Sequence, residues 1–228
     1  MESAPGEHVT NIIDRFELLN SVRDQALNEG RQIVRLSANT IRAIHRRQLV
    51  EAESDLEIAS SLLASLRRST QEYGVIYWAG YVQDAMKEFA EASITLSIAR
   101  RRPMPGPTDL GVEDAPYLNA MAEAASELRR LILDTLRGDQ LPLAEQYLAR
   151  MDDIYSMLVT VDFPDAITGG LRRTTDQLRA VLERTRGDVT LTLNQRRLER
   201  VLTTGVSTLG RLHGDDDGNT SSTASPES

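Results

Sequence analysis

Apolar residues recur along most of this chain at steps of three and four, and no segment alternates with the period of a strand. From His8 to Gln48, a single stripe carries Ile12, Phe16, Leu19, Ala26, Ile33, Ser37, Ile41 and Ile44, as on a helix with one buried side. At 1.5 Å per residue that helix would be roughly 60 Å long; Gly30 is a candidate bend. A second stripe follows through Leu56, Ala59, Leu62, Leu63 and Leu66 and closes at Arg67-Arg68-Ser69. The third, over about Gly74 to Arg101, puts Val75, Trp78, Val82, Ala85, Phe89, Ser93 and Leu96 on one face, which places Trp78 in the core.

Pro103-Met104-Pro105-Gly106-Pro107 marks a loop. The next helix opens near Asp114-Ala115-Pro116, where proline is tolerated in the first turn, and its stripe is Tyr117, Met121, Ala124, Ala125, Leu128 and Ile132. After a turn at Gly138-Asp139, Leu148, Met151, Ile154, Tyr155 and Leu158 mark the return helix. Phe163-Pro164-Asp165 breaks the chain again. Leu171, Leu178, Val181 and Leu182 follow, with Arg186-Gly187-Asp188 a candidate break before Leu198, Val201 and Leu202. From Gly214 the sequence has almost no apolar content and reads as a disordered tail. The pattern therefore predicts an all-α fold: one helical-bundle domain over residues 1–213, with six to seven helices including long antiparallel ones, and a tail over 214–228.

Composition narrows the function. The absence of cysteine excludes disulfides, thiolate metal sites and a cysteine nucleophile, and suits a reducing compartment. No apolar run approaches the ~20 residues of a membrane span, and the polar start does not read as a signal peptide, so a cytoplasmic protein is expected. Net charge is −8, and Lys87 is the only lysine; every other cation outside the histidines is arginine. That bias fits adaptation to concentrated salt or a GC-rich genome. A net acidic chain binds nucleic acid poorly unless its cations are clustered.

Two helical pairs of acids stand out, Glu88/Glu91 and Glu123/Glu127. At about 100° per residue the members of each pair point to one side of their helix. If the two helices pack together, four carboxylates can converge on one hard divalent cation. Such pairs are also common on solvated helix faces, and spacing alone leaves both readings open. A di-iron bundle needs Glu-x-x-His pairs, which His8, His45 and His213 do not provide. Arginines cluster as well: Arg35, Arg42, His45, Arg46 and Arg47 on the first helix, with further groups at Arg67-Arg68, Arg100-Arg101-Arg102, Arg172-Arg173 and Arg196-Arg197. Their planar forks suit phosphate, although helix ends and surface acids also use them. No phosphate-binding glycine loop, zinc signature or nucleophile elbow is present.

GYVQDAMKEFAEA (80–92) and APYLNAMAEAASELRR (115–130) resemble the acid-bearing helices of translin and translin-associated protein X. RLSANTIRAIHR (35–46) is similar to that family's first long helix, and TRGDV (185–189) fits its last. The resemblance implies a helical subunit of hollow homo-oligomers, typically octamers, that bind single-stranded RNA or DNA and can co-assemble with a second family member. It also implies a Mg2+- or Mn2+-dependent endoribonuclease with Glu88, Glu91, Glu123 and Glu127 as metal-holding catalytic acids. Arg35, Arg42, His45 and Arg46 are the candidates for nucleic-acid contact. Glu123 departs from the family pattern, where the X-type subunit has aspartate. The alternative expectation is an oligomer that binds single strands without cleaving them. With aromatic content at 4%, contact is expected to run mainly through phosphates.

Overall fold

A computed structural model of the chain describes residues 5–214, with side chains over 6–205; the expected tail lies outside these apart from Gly214. Among the described residues there are nine helices and no strand. They are α1 (Pro5–His45), α2 (Leu49–Thr70), α3 (Gly74–Tyr77), α4 (Gly80–Ala99), α5 (Pro107–Leu110), α6 (Asp114–Arg137), α7 (Leu141–Leu158), α8 (Asp165–Thr168) and α9 (Leu171–Gly214). Six are long, and the other three are single turns inside connections. The chain forms two compact units, Met1–Thr185 and Arg186–Ser228. The core and the site described below belong to the first. In the second, Leu191, Leu198, Val201 and Leu202 are exposed on the helix.

In the first unit α1 packs on α2 and α4, α4 on α6, and α6 on α7. α4 is the central helix, and every residue from Phe89 to Leu96 is buried. One side of it enters the main core, where Val82, Ala85, Met86 and Phe89 meet Ile33 of α1 and Leu63 and Leu66 of α2. α6 is rich in buried alanine: Ala120, Ala122, Ala124 and Ala125 are fully covered, as are Ala90 and Ala92 on α4. Side chains this small allow two helix axes to approach toward the short end of the usual ~8–10 Å range. That approach decides what the acids on these helices can do. Burial of Leu171, Leu178 and Leu182 seats the start of α9, and Arg129 on α6 donates to Thr185 Oγ1 at 3.0 Å.

Three sequence expectations are corrected. The break expected at Arg186-Gly187-Asp188 is not there: α9 is helical through these residues. Trp78 is not core: it is 63% exposed, and so is Val75 at 74%. The helix expected from Gly74 onward is two helices, because the backbone is extended at Ala79 (φ −68°, ψ 145°). The break resets the helical phase. Ile76 and Tyr77 are therefore the buried pair ahead of it, and the stripe residues Val75 and Trp78 face outward.

Candidate metal centre

Glu88 and Glu91 lie one turn apart on α4, and Glu123 faces them from α6. One carboxylate oxygen from each of the three can be chosen so that all lie within 4.8 Å of one another. Oxygens on opposite sides of an ion would be about 4.2 Å apart for Mg2+ and about 4.8 Å apart for an ion of Ca2+ size. Small rotamer adjustments would close the set around the smaller ion, so the donor chemistry and spacing fit a hard divalent cation. Glu127, one turn beyond Glu123, has a different partner: His45 Nε2 is 2.7 Å from its Oε2.

Charge in the cluster is high for its burial. Glu91 is 8% exposed, and its carboxyl is pushed up to about 8. Burial is the main cause, followed by the charges of Glu123, Glu88 and Glu127, with Lys87 opposing them. The metal-free centre thus holds a proton at neutral pH. Lys87 Nζ reaches Glu123 at 2.9 Å and Glu88 at 3.4 Å. Burial works against its charge, but the contacts with Glu123 and Glu88 outweigh that and raise its pKa. The chain's only lysine is thus an internal cation of the centre.

This arrangement fixes a pH dependence. In the unfolded chain Glu91 releases its proton near its ordinary value of 4.5, whereas in the folded chain it keeps it to about 8. Between those limits the folded state binds more protons, so its stability falls as pH rises. Without divalent cations, the melting temperature is expected to decline from pH ~5 toward pH ~8.5, with a loss of at most a few kcal/mol from this group. Thermal melts in chelator across that range check it; a flat or rising profile would contradict the burial argument.

His45 ends α1 with its side chain only 2% exposed, and its Nδ1 is buried without a hydrogen-bond partner among the described residues. The structure thus places His45 in the wall of the centre, away from the surface arginines with which the sequence groups it. Arg35 and Arg42 are exposed on α1 and Arg46 in the turn that follows it; Arg42 bonds Asn39, and Arg46 lies 3.7 Å from Glu51. Arg31, Arg35 and Arg42 form one stripe, since residues 31, 35 and 42 fall within roughly 40° on a helix, and Arg46 follows in the turn beyond it. The stripe runs toward the end of α1 that carries His45. Sequence reasoning missed the roles of Lys87 and His45 in the centre. Lys87 could have been found from its place just ahead of the first pair, as the residue before Glu88 and four before Glu91.

No family model matches the sequence. Among solved structures, AfC3PO in a complex with duplex RNA is 32% identical, superimposes with a TM-score of 0.77, and covers 83% of this chain and 98% of its own. The crystal structure of AfC3PO alone gives 33% identity and a TM-score of 0.76 over the same shares. This chain belongs to the translin family. The translin-type all-α fold is also seen in apo-NeC3PO, at 17% identity and a TM-score of 0.75, covering 84% of this chain and all of that one. An uncharacterized protein of Methanocaldococcus jannaschii is 27% identical over 184 residues, 80% of this chain and 82% of that protein. No helix among the described residues is long and apolar enough to cross a membrane.

Proposed function

We propose that this protein is a metal-dependent endoribonuclease that acts on single-stranded RNA as a cytoplasmic homo-oligomer. The observation that carries the reading is the convergence of Glu88 and Glu91 of α4 with Glu123 of α6, one oxygen of each lying within 4.8 Å of the others. These three would hold Mg2+ or Mn2+, with Glu127 adding its charge from beside them. An ion there would lower the pKa of a bound water and offset charge on the scissile phosphate. Lys87 orients Glu123 and Glu88, and His45 fixes the carboxylate of Glu127. Arg35, Arg42 and Arg46 would grip phosphates along α1 and the turn that follows it.

RNA as the ligand class is supported by AfC3PO, whose structure includes duplex RNA. Assembly is supported by the exposed apolar residues Val9, Ile12, Ile13 and Phe16, which follow one side of α1 and would need cover. An octamer-like shell, alone or with a second translin-family subunit, would provide it.

One observation favours a second reading, an oligomer that binds strands without cleaving them. Lys87 already neutralises part of the cluster, as a bound ion would. The deciding experiment incubates the purified protein with single-stranded and duplex RNA in Mg2+, Mn2+ or chelator. Cleavage of the single strand only when the ion is present is expected. Salt-sensitive binding with an intact strand under every condition would select the non-catalytic oligomer.

A further inference from the structure

Beside the centre lies a cavity of about 670 Å3 whose lining includes Trp78, Gln83, Lys87, Asn119, Glu123 and Ile167. Lys87 and Glu123 belong to both the cavity and the acid cluster. We infer that this cavity receives an unpaired base of the bound strand, stacked on Trp78, with its phosphate directed toward the acids. The inference rests on the nucleic-acid reading but not on cleavage.

Trp78 is built as a platform. The residue is 63% exposed, yet its ring meets that of the buried Tyr77 edge-on, with centroids 5.1 Å apart and planes at 87°. Tyr77 is itself anchored, since its hydroxyl donates to Glu113 and its carbonyl oxygen accepts from Gln83 Nε2 at 2.8 Å. The indole is therefore braced from below, with a large part of its surface toward solvent.

The facing wall is also fixed. Asn119 Nδ2 donates to the carbonyls of Ala115 (2.9 Å) and Thr168 (2.8 Å), and its Oδ1 accepts from Thr174 at 2.7 Å. These bonds tie α6, α8 and the start of α9 together, and the chain turns between α8 and α9 through Gly169 and Gly170 at φ 63° and 85°. Ile167, 66% exposed, adds an apolar surface to that wall. Asp84 and Asp114 provide hydrogen-bond acceptors in the lining.

The volume is within the ~300–1,000 Å3 range of small-ligand sites. A suitable occupant is flat and apolar on its faces, has hydrogen-bonding edges, and is joined to a group that reaches Lys87 and the acids. A nucleotide unit has that chemistry. Its base must be unstacked from its neighbours, as in single strands, because paired bases of a duplex cover one another.

Trp78 is the only tryptophan in the chain, so its fluorescence reports on this cavity alone. The experiment titrates the Glu91→Gln protein in chelator, chosen so that cleavage of the probes is suppressed, with a single-stranded oligoribonucleotide, its duplex, and an abasic strand of equal length. Emission should be strongly quenched by the first and little changed by the other two. In polarisation assays with a labelled strand, Trp78→Ala should weaken binding roughly 5- to 100-fold, whereas Trp78→Phe should stay within a few-fold of the parent. Binding without quenching, or equal affinity in Trp78→Ala, would overturn the inference. Emission already blue-shifted and shielded from acrylamide before any strand is added would also overturn it, showing Trp78 covered by a second copy of the chain. Absence of all nucleic-acid binding would remove this inference together with the broader reading. Quenching by the single strand beside a wild-type protein that never cleaves would remove only the nuclease.

Discussion

Glu91→Gln is expected to stabilise the metal-free protein by an amount that grows from about pH 5 and is fully present above about pH 8, while lowering metal-dependent cleavage at least roughly 100-fold. The two effects share one cause. Glu91 is buried among the charges of Glu123, Glu88 and Glu127, so above its ordinary value of 4.5 it must either keep a proton that the unfolded chain releases or, above about 8, ionise in place. A neutral amide of the same shape escapes that cost, and the melting temperature should rise by a few degrees in chelator. The same amide offers a cation no anionic oxygen, so the hard-ion site loses its most enclosed ligand. A carboxylate that merely supported the fold would give the opposite stability result, because its removal would leave partners unsatisfied. Unchanged Mg2+-dependent cleavage, or a lower melting temperature at alkaline pH, would sink the assignment.

The second large effect is expected at Phe89, an apolar residue of the main core. It is 3% exposed and fills the core with Ile33, Leu63 and Met86. Truncation to alanine should cost about 3–5 kcal/mol, since the surrounding helices can only partly collapse into the void. For a chain of this size that corresponds to a fall in melting temperature of roughly 10 °C or more. α4 would settle toward the gap and carry Glu88 and Glu91 with it. Thermal melts with and without Mg2+ should then show a smaller stabilisation by the ion than in wild type. A loss below ~1 kcal/mol would mean that α4 does not hold its position through this core.

The long helices were legible because burial imposes its period on the sequence, and from Ala26 onward the first stripe is buried at Ala26, Ile33, Ser37 and Ile44, with Ile41 half-buried. The period does not say whether an apolar face is covered by the same chain. Ile12 and Phe16 lie on the predicted stripe and are nevertheless exposed. Trp78 was misplaced for a related reason: a single extended residue, Ala79, shifts the phase, and alanine there carries no turn signal. Conversely, Arg186-Gly187-Asp188 looks like a break and is helical, since one glycine costs a helix only about 1 kcal/mol.

Each glutamate pair was visible on its own helix. The meeting of Glu91 and Glu123 was not, because it depends on alanines of α4 and α6 that appear in sequence only as unremarkable small residues. The contact of His45 with Glu127 spans 82 residues and has no local signature. Arginine clusters were equally visible, but sequence could not separate the exposed stripe on α1 from the buried histidine beside it.

The solitary lysine has a practical consequence. Terminal amine aside, an acylating reagent finds one primary amine in the chain, and it is the Nζ that bridges Glu88 and Glu123. Its raised pKa keeps it an ammonium and hence a poor nucleophile at neutral pH. The labelling rate of that one amine becomes a direct gauge of whether its two carboxylates still hold it.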